Sequence, residues 1–336
     1  MTEGILSTSS GRIAGASALL IGLVVCILAP KAVLGTLVFV VDSLLDVAPL
    51  VIPGILLAAW VSASGASSHV ARVFHGRRYK AIAAASAVGA ITPVCGITVL
   101  PLMVGLLASG VPLAPVMAFW LASPITDPAM LSATIATLGL DFAVAKTVAA
   151  FGLGLFAGLA TLAAPVAWTS SPLRSSRFVP ASCQGSGCGP TGFLPAFWRE
   201  DVRRRSFWRN AVATSRLIVI CLVPAFAAEF WLNEALSPRA LSTYVGTDSW
   251  WAVPLAVLVG APAYLDGFAA LPLTRAMLDH GMAPGAALAF LVSGGAISVW
   301  GAMAIFPVLR IRPFLLYMAL AVSGSMLAGW GFGALL

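Results

Sequence analysis

The sequence predicts an all-α polytopic membrane protein with about 8–10 membrane helical segments, arranged as two inverted repeats containing broken and re-entrant helices. Three observations lead there. Hydrophobic residues make up 60% of the chain and charged residues only 9%. The apolar runs are punctuated by Pro and Gly, and one run in each half matches the other at a fixed offset. An ordinary soluble domain carries about 25% charged residues, and no soluble interior hides this much apolar surface.

Windows such as 147–166 and 313–336 are almost free of charge, and each reaches the roughly 20 residues that cross a hydrocarbon core. Hydropathy, with Gly, Pro and charge as punctuation, gives helical segments near 12–29, 33–63, 81–109, 112–138, 141–166, 209–233, 249–279, 283–309 and 312–335. The opening MTEGILSTSSGRIAGASALLIGLVVCILAP lacks a small-x-small cleavage site before Pro30 and reads as a retained first span. The expected organisation is an N-terminal span (1–32), a first repeat (33–166), a cytoplasmic basic loop (167–208) and a second repeat (209–336). That loop, with SPLRSSRFVPASCQGSGCGP and Arg199, Arg203, Arg204 and Arg205, is too polar to bury a core.

The net charge of +7 does not point to nucleic acid, because Arg and Lys cluster in short segments between apolar runs. That is the pattern of cytoplasmic loops in membrane proteins. The lipid bilayer and a small-molecule solute are therefore the expected partners, with no nucleic acid; a homo-oligomer is compatible with the sequence. The location expected is a bacterial cytoplasmic (inner) membrane, with the N-terminus cytoplasmic. Of Cys26, Cys95, Cys183, Cys188 and Cys221, three lie in apolar segments and two in the loop, so no disulfide framework is implied.

The repeat is read from LPLMVGLLASGVPLAPVMAFWLASP at 100–124 and LPLTRAMLDHGMAPGAALAFLVSGG at 271–295. Pro101 and Pro272, Gly110 and Gly281, and Phe119 and Phe290 are each 171 residues apart. Simple up-and-down crossing cannot put the basic segments Arg72–Lys80, Arg174–Arg209 and Arg310–Arg312 on one side, so one segment per half must return. The expected hairpins are 112–138, interrupted by Ser123–Pro128, and its mate 283–309, interrupted by Ser293–Gly295.

Irregular backbone at membrane depth is tolerated where it lines a cavity or is buried in protein. Four breaks stand out: Thr92–Gly96, Ser123–Pro128, Ala261–Tyr264 and Ser293–Gly295. They nominate Thr92, Cys95, Ser123, Thr126, Asp127, Tyr264, Asp266 (just after its break) and Ser293 as solute-binding residues, and the family resemblance described below adds Thr98. The plain alternative is that Pro and Gly only kink packed helices. An Asp at a helix centre costs roughly 2.5–3.5 kcal/mol on insertion scales, so Asp127 and Asp266 need a compensating role, either proton coupling or capping of a half-helix. Asp42 and Asp46, four apart on one helix face, suit an interface or vestibule. Cys95 is a soft-ligand candidate, although most buried cysteines are small hydrophobes. Cys183 and Cys188 belong to a solvated linker, and His69, His75 and His280 lack metal-ligand spacing. No metal site, cofactor, catalytic constellation or phosphate-binding Gly loop is read, and the chain is not expected to be an enzyme.

The segments TPVCGITVLPLMVGLLASGVPLAPVMAFWLASPITDPAM and GAPAYLDGFAALPLTRAMLDHGMAPGAALAFLVSGG resemble the paired signatures of the predicted permeases that include the ArsP organoarsenical efflux proteins. The resemblance covers roughly 33–335, and Thr92, Pro93, Cys95, Thr98, Pro101, Ser123, Pro124 and Pro128 correspond by motif position. It implies a secondary exporter of a small polar or thiophilic solute, organoarsenicals and metalloids among the candidates, with a proton as candidate coupling ion. Ile97 stands where the family has a second Cys, Asp127 where it has Asn, and Asp266 where a Cys is common. Soft ligands have gone and acids have arrived, so the resemblance bears on fold and permease role more than on arsenic. The alternative is a channel-like or membrane assembly subunit without alternating access.

Overall fold

The computed structural model describes residues 30–65, 78–92, 99–108, 111–126, 128–174, 194, 196–235, 251–263, 267–297, 302–303 and 305–335. Among these the chain is helical: α1 (Pro30–Ser64), α2 (Arg78–Ile91), α3 (Leu100–Ala108), α4 (Leu113–Ala122), α5 (Pro128–Leu138), α6 (Leu140–Ala163), α7 (Val166–Thr169), α8 (Asp201–Ala235), α9 (Ala252–Ala263), α10 (Gly267–Asp279), α11 (Pro284–Ala296) and α12 (Ile311–Gly333). It is an all-α polytopic membrane protein. Leu140–Ala163, Asp201–Pro224 and Ile311–Gly333 are long and apolar enough to cross a membrane by length and composition. The expected span 12–29 and the pair Cys183 and Cys188 lie outside the described residues.

Pro and Gly set the helix ends. Pro128 and Pro284 open α5 and α11, where a missing N–H costs nothing because the first-turn N–H groups have no partner inside the helix. Gly139 (φ 97°) joins α5 to α6 and Gly281 (φ 92°) joins α10 to α11, a left-handed geometry that glycine adopts without a Cβ clash. α8 starts at Asp201 rather than near 209. Its basic first turns are helical because Arg203 Nε donates to Glu200 at 2.7 Å while its Nη1 donates to the carbonyls of Ala63 and Ser64 at 3.3 and 3.0 Å, closing the end of α1.

The 171-residue offset reappears in three dimensions. Pro30 and Asp201 open two helices of 35 residues each, Leu113 and Pro284 open α4 and α11, and Leu140 and Ile311 open α6 and α12. Close packing repeats as well. A Cβ on Gly89 would stand 2.8 Å from the Phe119 carbonyl oxygen, and one on Gly260 2.9 Å from that of Phe290. Gly158 meets Ala118 and Ile82, while Gly329 meets Ala289 and Val253. All these residues correspond at the same offset. Without a hydrophobic drive between helices in lipid, small residues that let backbones approach are what hold such a bundle.

These contacts fix helix directions. Ile82 lies against Gly158 and the Ser86 hydroxyl donates to Phe151 O at 2.6 Å, so α2 and α6 are antiparallel. Gly154 meets Ala122 and Gly158 meets Ala118, so α4 is antiparallel to α6 too. α2 and α4 therefore run parallel from one end of the bundle to its middle. α5 continues to the other end, where Gly139 turns the chain into α6. Hence 112–138 carries the chain from end to end with a break halfway, and it is the segment near 81–109, now α2 and α3, that returns to the end it left. This corrects the expected hairpins at 112–138 and 283–309. In the second half Gly285 and Gly329 pack together and Gly260 meets Phe290, which gives the same arrangement for α9, α10 and α11, starting from the opposite end.

Matched helices that touch are antiparallel. Phe39 near the start of α1 packs on Phe230 near the end of α8, with ring centroids 5.6 Å apart, and Arg203 joins the other two ends. Phe142 and Phe332 pair the start of α6 with the end of α12 at 5.1 Å. At the far end of that pair, Arg174 N–H donates to Val308 O and Arg310 N–H to Pro172 O, each at 2.8 Å. Arg78 and Lys80 open α2 beside the same end of α6, so three basic stretches share one end of the bundle. Leu34, Leu37, Val38, Val144, Val148, Leu315 and Leu327 are exposed on long helices, as a lipid-facing surface requires.

Candidate functional site

The middle of the bundle is where helices stop. α4 ends at Ala122 and α5 begins at Pro128; α11 ends at Ala296. Ser293–Gly295, expected as a break, is helical and forms the last turn of α11, which packs on the break after α4: a Cβ on Gly295 would stand 2.8 Å from the carbonyl oxygen of Pro124 and 3.5 Å from Ile125 Cα. Pro124 and Gly295 are themselves 171 residues apart. Leu153 and Gly324, a second pair 171 residues apart, also touch and join α6 to α12.

The nominated hydroxyls are distributed unevenly. Thr126 is buried, and its Oγ1 donates to Ala90 O at 2.8 Å, tying the break after α4 to the last turn of α2. Ser123 and Ser293 are buried, but each donates back to its own helix, to Trp120 O at 3.4 Å and Phe290 O at 3.1 Å. Thr92, at the end of α2, donates to Val88 O and is partly exposed. Cys95, Thr98, Asp127, Tyr264 and Asp266 lie outside the described residues. Asp42 and Asp46 are exposed on α1. His280 ends a helix, its Nδ1 at 2.7 Å from Ala276 O.

Three side chains near the breaks were missed by sequence reasoning. Tyr317 of α12 is 3% exposed, and its hydroxyl donates to Ala296 O at 2.8 Å, closing the carbonyl end of α11. Its ring packs on Trp120 at 5.2 Å between centroids. The Trp120 indole N–H is fully buried and has no hydrogen-bond partner among the described residues. Lys146 of α6 is 2% exposed and is the counterpart of Tyr317 at the 171-residue offset. The signal for Lys146 was a lone cation in LDFAVAKTVAAFGL, and an ionisable residue at membrane depth is a functional candidate by default.

A helix break buried inside an all-α membrane bundle is the setting in which secondary transporters place a solute site, and the class of this protein is that of the membrane permeases. The chain belongs to the predicted permease family ArsP_1, which matches residues 33–333. It is similar to the UPF0718 protein MJ0584 of Methanocaldococcus jannaschii, 21% identical over 336 residues covering 84% of this chain and 91% of that protein. It is also similar to the UPF0718 protein YcgR of Bacillus subtilis, 27% identical over 104 residues, covering 31% of this chain and 35% of that protein. No solved structure matches the chain.

Proposed function

We propose that the protein is a secondary permease of the cytoplasmic membrane that exports a small polar or thiophilic solute through the layer where the last turn of α11 meets the break after α4. The contact between Pro124 and Gly295 carries this reading. Breaks at membrane depth expose backbone N–H and C=O groups, and in secondary transporters such discontinuous helices at a repeat interface form the solute site. Antiparallel packing of α1 with α8 and of α6 with α12 supports an inverted repeat, with α2–α3 and α9–α10 as hairpins re-entering from opposite faces. In this reading the basic end of the bundle is the cytoplasmic face by the charge rule, with a cytoplasmic N-terminus and a cytoplasmic central loop.

In this reading Thr126 fixes the first break against α2, while Thr92, Cys95, Thr98, Ser123, Tyr264 and Ser293 line the solute's route. Asp127 and Asp266 are its proton-coupling acids. Organoarsenicals remain candidate solutes through the one thiol, Cys95, and a homo-oligomer is compatible with the lipid-facing helices. The test is flux into proteoliposomes of the purified protein across a panel of trivalent organoarsenicals, metalloid oxyanions and small organic anions, with and without a pH gradient. Gradient-dependent uptake of one class supports the proposal. Ungated, gradient-independent conduction favours a channel instead.

A further inference from the structure

Charge is unbalanced at the start of α8, and the surplus falls on the side of the helix turned away from the bundle. Two acids stand there, Glu200 and Asp201, and both are taken: Glu200 pairs with Arg203 and Asp201 with Arg204, each at 2.7 Å. Arg205, Arg209 and Arg216 are exposed and make no ion pair among the described residues. Spaced four and then seven apart, they share one face of the helix. The opposite face, with Arg203, Phe207, Ala211, Ile218 and Leu222, is buried against the bundle. The arginine stripe runs on into exposed Val212, Val219, Ile220 and Val223, a surface of the kind that acyl chains cover.

Helix length sets the depth of this stripe. α8 has 35 residues, about 52 Å of helix at ~1.5 Å each, against a hydrocarbon core of about 30 Å. Its exposed tryptophans, Trp208 and Trp231, are 23 residues apart, about 34 Å along the axis, and bracket that core as interfacial anchors. Arg205 and Arg209 then flank Trp208 at headgroup level. Arg216 starts roughly 12 Å deeper, but side chains on a helix lean toward its N-terminus, here toward the headgroups, and a long arginine stem reaches the same way. We propose that Arg205, Arg209 and Arg216 bind the headgroup of an anionic phospholipid in the leaflet at the basic end of the bundle, its acyl chains lying along Val212, Val219 and Ile220. The guanidinium fork matches phosphate oxygens, and three unpaired cations favour a headgroup with net negative charge over one that carries its own ammonium. This lipid site goes beyond the permease reading and does not depend on it, since it requires only that the exposed face of α8 lie against the bilayer.

The experiment is native mass spectrometry of the full-length protein in detergent, titrated with phosphatidylglycerol and, separately, with phosphatidylcholine of the same acyl chains. Wild type is expected to bind the first phosphatidylglycerol about tenfold or more tightly than phosphatidylcholine, since each arginine at an anionic surface contributes about fivefold. The triple variant Arg205→Gln, Arg209→Gln, Arg216→Gln should bring the two lipids within about twofold of each other. Arg199→Gln with Arg204→Gln and Arg312→Gln removes the same charge from the same end of the bundle and should keep the preference. Arg209→Gln alone should cost about fivefold, which reads the site even if the triple variant fails to fold. Glycerol phosphate, the headgroup without chains, should not displace the bound lipid at equal concentration. No preference between lipids in wild type, or an equal loss in the two triple variants, would overturn the proposal. Displacement by glycerol phosphate would overturn it as well, making the stripe a site for free phosphate rather than for lipid.

Discussion

Pro124 and Gly295 occupy the same position in the two halves of the chain and touch each other, Gly295 giving its missing Cβ to the space beside the Pro124 carbonyl oxygen. Gly295→Val must push the last turn of α11 off the break after α4. We expect a loss of about 1–3 kcal/mol, as for overpacking a filled interior, together with loss of transport. Thermal unfolding in detergent and proteoliposome flux check both. Gly331→Ala, where nothing lies within 4 Å of a new Cβ, is the neutral control.

Matched glycines should respond alike. Gly158 and Gly329 face Ala118 and Ala289, so Gly158→Leu and Gly329→Leu should each destabilise the protein, by amounts that agree within about 1 kcal/mol since both insert the same volume into the same kind of contact. Thermal unfolding of the two variants side by side makes the comparison. A neutral Gly329→Leu beside a damaging Gly158→Leu would say that packing is not repeated between the halves.

Arg203 closes the last turn of α1 while paired to Glu200. Arg203→Met keeps most of the apolar stem but removes the donors from the carbonyls of Ala63 and Ser64, so a cost of about 1–3 kcal/mol is expected. Arg204→Met, whose 2.7 Å pair with Asp201 is exposed, should change stability by no more than about 0.5 kcal/mol. Chemical or thermal unfolding measures the difference.

The apolar runs, the break at Ser123–Pro128 and the 171-residue offset were legible in the sequence because each is a local pattern of residue types, whereas Ser293–Gly295 and Ala261–Ala263, expected as breaks, are the last turns of α11 and α9. Which segment reverses was not. The charge rule requires one return per half, but a break reads the same in sequence whether the next helix continues or turns back, and only contacts such as Gly89 with Phe119 decide it. Lys146 stands just before the charge-free run 147–166, and its burial is set by packing between helices that no local pattern encodes. That Pro124 meets Gly295 needs both halves assembled, since no pattern within 123–128 or 293–295 encodes the partner.

Asp127 and Asp266 separate proton coupling from helix capping. Asn keeps the shape and the hydrogen bonds but cannot ionise, so Asp127→Asn or Asp266→Asn should flatten the pH dependence of flux while leaving the thermal unfolding midpoint within a few degrees. An unchanged pH profile in both variants would make capping the account of the two acids.

The most direct test of a solute route through the break layer is two-sided accessibility of Thr126 and Ser293. In a background with the five native cysteines replaced, Thr126→Cys and Ser293→Cys are treated with a membrane-impermeant maleimide in right-side-out and in inverted vesicles. Labelling from both sides, slowed by a transported solute, is the result expected if the layer opens alternately to each face. Labelling from neither side, with flux intact, would place the route elsewhere and contradict the account.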